Sequence, residues 1–397
     1  MNFDKFLWRH RPLCVAQETA RYAWHKTLGR FLPGKTPVWY KFGAKPVLGA
    51  RETLPIDAAW HRVNRKLYRR EHVFYNIDNA LKANPRLEGL ALVFFMGIGD
   101  YLYATPMIEV LAKKYPQLKL YGYVSKHTDR NNSPISGTLL ETNPYISKVF
   151  YFDGFRNPLV WKNYNYEDAF KNIPPNFLAV PVYYEYGLDI PHRTASLFET
   201  FGLKMPAEFP RPVFYFPQNP PAHVAKVVGK INEAAKDKKG IVFLQLDSRG
   251  SAYTYPHTTK LAQSLIDEDW FVISVTKTDL KSDFYYQVDF KKFAFNDTCN
   301  LLHLLKKQNK VFIIAVNSVF WAASGGLDIP NLGLQHWVDK KVHNLWYPNI
   351  TMVTDYKYPK IPPEKMIIAN PADYTPYNKK IIDYKPQFIL ECFKKIA

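Results

Sequence analysis

From residue 89 onward the apolar residues gather in short unbroken runs, separated by stretches in which they recur at helical spacing. Residues 90–95 (LALVFF) read as a strand buried on both faces, and the glycine turn 96–100 (MGIGD) follows it. A helix over 104–114 and a strand over 118–124 (LKLYGYV) complete a βαβ unit of the parallel-sheet type. A strand over 148–152 and a helix over 192–201, stopped by Gly202, continue the same style toward Pro217.

Residues 218–221 carry two prolines and read as a linker, after which an amphipathic helix spans 222–236. The alternation then resumes. Strands are expected over 241–246, 270–275, 311–316 and 331–334, with helices over 258–267 and 300–307 and another opening at 318–325. The tail ends in a helix over 386–396. These elements predict an α/β protein with one Rossmann-like domain over 89–217, a second over 222–378, and a tail over 379–397.

The first 88 residues break this pattern. They mix aromatic with basic residues, are cut by proline and glycine between Pro33 and Gly49, and hold 17 Lys and Arg against seven Asp and Glu. That net +10 is more than half of the formal +18 of the whole 397-residue chain. Helices are expected over 13–31 and over 56–81, the latter carrying Arg62, Arg65, Lys66, Arg69 and Arg70. Two readings of this extension stand side by side: a basic face laid on an anionic membrane with tryptophans at headgroup depth, or aromatics packed on the following domain.

No apolar run reaches the roughly 18 residues of a membrane span, and the first residues lack the apolar core of a secretory signal. The expected location is the cytoplasm, peripheral to the inner face of the inner membrane. Cys14, Cys299 and Cys392 are too scattered for a disulfide framework or a paired zinc site. A basic chain also suits nucleic acid, but no recognition motif supports that partner and none is expected.

Candidate chemistry centres on Phe94 to Pro106, which puts Asp100 at the carboxyl end of a strand, where ligands of open α/β sheets bind. Asp100 there either serves as a base toward a hydroxyl or caps the helix that follows. The string GIGDYLYATP, with the later ETNPYISKV, resembles the opening of the bacterial heptosyltransferases, glycosyltransferase family 9. The resemblance implies a GT-B fold, two Rossmann-like domains facing across a cleft, here preceded by the basic extension, with the tail helix returning to the first domain. It implies Asp100 as catalytic base, with Gly97, Gly99 and Thr105 forming the acceptor-side turn.

In the second half, VNSVFWAASGGLDIP is similar to the family's donor-binding element, with Asn317 and Ser318 at its Asp-Ser pair. Val319 stands at the family's glycine and Ala322 at its histidine. The basic residue ahead of the family's Trp-Pro is also absent, since Tyr253 and Thr254 precede Tyr255-Pro256, and Arg249 beside Ser248 would supply the lost charge. The implied activity is inverting, metal-independent and cofactor-free transfer of a heptose or related sugar. The donor is a nucleotide diphosphate sugar and the acceptor an acidic, lipid-linked or lipopolysaccharide-type glycan. The alternative is a decayed relative that only grips a glycan or a partner. Asp267, Glu268 and Asp269 read as a solvated turn, and His336, Asp339 and His343 as a weak pocket candidate.

Overall fold

A computed structural model describes residues 77–94, 98–125, 137–152, 172–182, 193–247, 254–289, 293–335, 347–355, 357, 361–375 and 382–397. Residues 1–76, which hold most of the basic extension, lie outside the described residues, as do Gly97, Ser248, Arg249, His336, Asp339 and His343. Contacts divide the chain into two units. One is Met1–Gly97 with Pro106–Ala207, and the other is Ile98–Thr105 with Glu208–Ala397.

In the first unit a short helix, α1 (Ile77–Ala83), is tied down by the Tyr115 hydroxyl, which donates to Asp78 at 3.0 Å. Strand β1 (Gly89–Phe94) is buried along its whole length, as its unbroken apolar run requires. Beside it run β2 (Lys119–Ser125), β3 (Lys148–Phe152) and β4 (Phe177–Pro181), all parallel, in the order β3-β2-β1-β4. Helix α2 (Ile98–Lys114) connects β1 to β2, its residues Ile98–Thr105 belonging to the second unit and the rest to the first, while α3 (Gly137–Glu141) and α4 (Arg193–Thr200) follow later.

Helix α2 starts six residues earlier than its sequence pattern suggests, so Gly99 and Asp100 belong to its first turn and not to the turn ahead of it. The misleading residue is Pro106, which looks like a first-turn proline but sits in the helix interior. A proline there leaves the Leu102 carbonyl without its amide donor, and the Thr105 hydroxyl takes that place at 2.8 Å. The same hydroxyl accepts from the Val213 amide, also at 2.8 Å.

In the second unit, α5 (Ala222–Ala234) precedes β5 (Ile241–Gln245). The alternation then runs α6 (Thr258–Asp267), β6 (Phe271–Ser274), β7 (Tyr285–Gln287), α7 (Phe295–Lys306), β8 (Val311–Val316), α8 (Val319–Leu327) and β9 (Asn331–Leu334). Strands β10 (Ile350–Thr354) and β11 (Met366–Ile368) close the sheet, and α9 (Pro386–Lys394) comes last. All pairings are parallel, in the order β11-β10-β9-β8-β5-β6-β7.

Helix α9 packs on the second unit's own core. Its stripe of Ile389, Leu390, Cys392 and Phe393 joins a cluster with Leu261, Leu265, Trp270 and Phe312, and this apolar match decides where the helix docks. The chain leading into α9 is pinned as well: Asp383 accepts from His257 Nε2 at 2.8 Å and from the Thr375 hydroxyl. Lys394 and Lys238 pair with Glu268 and Asp269 and hold both carboxyls below their usual range, chiefly through these hydrogen bonds. The acidic turn therefore serves as a set of surface ion pairs. Among the described residues no helix is long and apolar enough to cross a membrane.

Candidate functional site

The order of the second sheet fixes where a ligand belongs. Chain order runs outward from β5 through β6 to β7 on one side and from β8 through β9 to β11 on the other, so the direction of winding reverses between β5 and β8. Loops leave opposite faces of the sheet at such a point and open a crevice beyond the carboxyl ends of the two strands. Asn317 and Ser318 follow β8 at that place, and Gln245 ends β5.

Ser318 is the N-cap of α8, its hydroxyl accepting from the Phe320 amide at 3.3 Å. The hydroxyl also donates to the side-chain oxygen of Gln245, whose amide nitrogen in turn donates to the Asp247 carbonyl. Its single proton is thus committed inside the protein. What this element offers an anion is the backbone N–H of its first turn and the positive end of the helix dipole, not the serine side chain.

Helix α8 is fixed at its other end too. Lys306 donates to the Leu327 and Asp328 carbonyls at 3.1 and 2.6 Å, and Arg211 pairs with Asp328 at 2.5 Å. Arg211 is the main reason the Asp328 carboxyl lies below its usual range. The body of α8 is clamped by Trp321, fully buried, with its indole N–H on the Ala315 carbonyl at 2.8 Å. Gly333 on β9 makes room for that indole, since a Cβ there would come within 2.6 Å of Trp321 Cε2. Val319, at the position of the family's glycine, is partly exposed, whereas Ala322, at that of its histidine, is fully buried in the core-facing side of the helix.

The first turn of α2 lies in the same unit, with Gly99 next to the start of α8. A Cβ built on Gly99 would stand 3.9 Å from Val319 Cα. Asp100 follows Gly99 directly, so the turn that carries it runs beside the turn capped by Ser318. Thr105 is 1% exposed and its hydroxyl bridges Leu102 and Val213, so it braces the helix. Gly99 is helical, with ordinary contact distance around it, so no turn demands a glycine there.

Gly99→Ala is accordingly expected to hold or raise Tm, because alanine is favoured over glycine within a helix by roughly 0.5–1 kcal/mol. Thermal melts would read this, and a fall of several degrees would restore a conformational need for the glycine. Sequence reasoning missed Gln245, Asp247 and Thr276. The available signal was a polar residue closing each apolar run, in IVFLQLD and FVISVT.

No family model matches the sequence, and no curated protein matches it in sequence. Solved structures do match. A glycosyl transferase of family 9 from Veillonella parvula superposes with a TM-score of 0.53 at 10% identity, covering 78% of this chain and 98% of the other. E. coli ADP-heptose lps heptosyltransferase II gives 0.48 at 14% identity, over 78% and 98% of the two chains. An E. coli heptosyltransferase with ADP-2-deoxy-2-fluoro heptose gives 0.46 at 12%, over 77% and 99%. The first of these likenesses shows the fold: two Rossmann-like α/β units of the GT-B kind.

Proposed function

We propose that the protein is a glycosyltransferase that moves a sugar, a heptose or a relative, from a nucleotide diphosphate sugar to a hydroxyl of a glycan, with Asp100 as the general base. The observation that carries this reading is the pairing of two first turns in one unit: the Ser318-capped start of α8 at the switch point, and the Asp100-bearing start of α2 beside it. A helix of nine residues, anchored at both ends, holds its amides and dipole still against a developing diphosphate charge. Asp100 would remove the proton from the attacking hydroxyl. The hydroxyl oxygen then bonds to the anomeric carbon as the bond to the diphosphate oxygen breaks, and the configuration inverts.

Arg249, which follows Ser248 in the sequence after β5, would grip the diphosphate bidentately in place of the basic residue the sequence lacks, with Asn317 alongside. No metal or cofactor enters this scheme. A thermal-shift screen of nucleoside diphosphates and nucleotide sugars tests it, because a ligand bound only by the native state raises its stability. A shift with a nucleotide sugar and its diphosphate supports the reading, and no shift with any nucleotide sinks it.

One observation favours a second reading, a decayed enzyme that binds glycan alone: the histidine position of the donor element is a fully buried Ala322. Glycan binding without any nucleotide shift would select it.

The acceptor in this proposal is an acidic, lipid-linked glycan of the lipopolysaccharide type at the inner face of a membrane, where the +10 extension meets anionic lipid. At about 1 kcal/mol per basic residue near the surface, the intact chain should sediment with vesicles containing anionic lipid and be released by salt. Equal sedimentation with neutral vesicles, or none with anionic ones, would remove the membrane from the scheme.

A further inference from the structure

The hydrogen bonds at the end of β5 hold more than the cap of α8. The Leu246 amide donates to the Thr276 hydroxyl at 2.7 Å, and that hydroxyl donates to Asp247 Oδ1 at 2.9 Å. With the Asp247 carbonyl taken by Gln245, both the backbone and the side chain of Asp247 are fixed. Yet the residue is exposed, while Gln245 and Thr276 beneath it are each 7% exposed. Among the described residues, Oδ2 of Asp247 accepts no hydrogen bond. The Thr276 hydroxyl thus holds an exposed carboxylate in one rotamer at the end of β5.

The chemistry of the place narrows what this carboxylate takes. It is an acceptor only, and it repels phosphate, so the part of a donor that rests against it is neutral and rich in hydroxyls. In dinucleotide folds the carboxylate that ends the second strand takes the ribose hydroxyls. Here the second strand of the unit, β6, is followed by Thr276, which hands its proton to Asp247 at the end of the first. The carboxylate is supplied across the strand pair.

We propose that Asp247 is a specificity-determining residue that receives two neighbouring hydroxyls of the donor, with the diphosphate held at the start of α8; this rests on the nucleotide-sugar reading above. The diol belongs either to the ribose or to the transferred sugar, and the binding experiment separates the two. Whichever of ADP, GDP, UDP and CDP gives the largest thermal shift would be titrated calorimetrically, together with its dideoxyribose form and a nucleotide sugar built on it.

For a ribose diol, the wild-type chain should bind the ribo form at least about ten-fold tighter than the dideoxy form, as a charge-assisted hydrogen bond warrants, and Asp247→Asn should erase most of that preference. For the diol of the transferred sugar, Asp247→Asn should weaken the nucleotide sugar by a similar factor and leave the bare diphosphate unchanged. Asp247→Asn keeps an oxygen for the Thr276 hydroxyl and should melt as wild type does without ligand, while Asp247→Ala, the second variant, removes that acceptor and should melt lower yet show the same change in ligand preference. Wild-type affinities for all three probes in both variants would overturn the role of Asp247 while the nucleotide-sugar reading stands. Failure of the wild-type chain to bind any of them would bring down that reading, and this one with it.

Discussion

Asp100→Asn is expected to lower turnover by at least about 10²-fold and to leave donor affinity nearly unchanged, since a positioned general base contributes about 10²- to 10⁴-fold. Asparagine keeps the size of the side chain and loses its ability to take a proton. The change also removes a negative charge from the first turn of α2, where the helix dipole favours one, so stability should fall by about 0.3–1 kcal/mol at most. Calorimetric titration of the donor beside initial-rate kinetics would separate the two effects. Turnover within a few-fold of wild type would mean that the hydroxyl loses its proton elsewhere. A loss of donor binding matching the loss of rate would make Asp100 a binding group.

The largest effect on stability is expected from Phe393→Ala, at about 3–5 kcal/mol, the cost of removing a large aromatic side chain from a packed core. Phe393 is fully buried, and its ring meets Trp270 edge-on at 5.1 Å between centroids and Phe312 at 5.5 Å, while Trp270 and Phe312 meet at 5.6 Å. The truncation would leave a void against both remaining rings. For a unit of this size such a loss corresponds to a fall in Tm of about 6 to 20 °C, readable by calorimetry or urea titration. A loss below about 1 kcal/mol would show that α9 can leave the sheet at little cost.

Where pattern and packing agree, the chain was legible. GLALVF, VFIIAV and NLGL are strands because no other element buries such short apolar runs on both faces, and α6 begins and ends where its apolar spacing does. Strands β4, β7, β10 and β11 escaped notice because three to five residues such as FLAVP or MII carry too little pattern to stand apart from a loop. The start of α2 was hidden by Pro106, whose missing donor is replaced by a side chain that no spacing rule anticipates.

The site was legible where it depends on a motif and opaque where it depends on a register. Asn317 and Ser318 could be placed from VNSVFWAASGGLDIP alone. That Ser318 spends its proton on Gln245 requires β5 and β8 to be neighbours, with Gln245 paired to Ala315, and that pairing follows only from the sheet order. The destination of the tail helix was likewise undecidable from its amphipathic stripe, which says that it needs an apolar partner but not which one.

The placement of α9 also bears on how the second unit is made. His257 and Asp383, which join the start of α6 to the tail, stand 126 residues apart in sequence, and the ring contact of Phe393 with Trp270 spans a similar distance. During synthesis, β5, β6 and β8 are complete long before the helix that covers their shared face exists. Contacts of such long range form slowly, because loop closure must be paid for before they reward it. A nascent chain would therefore carry the bare Trp270 and Phe312 face for much of its time on the ribosome, a surface of the kind that chaperones hold and that aggregation exploits.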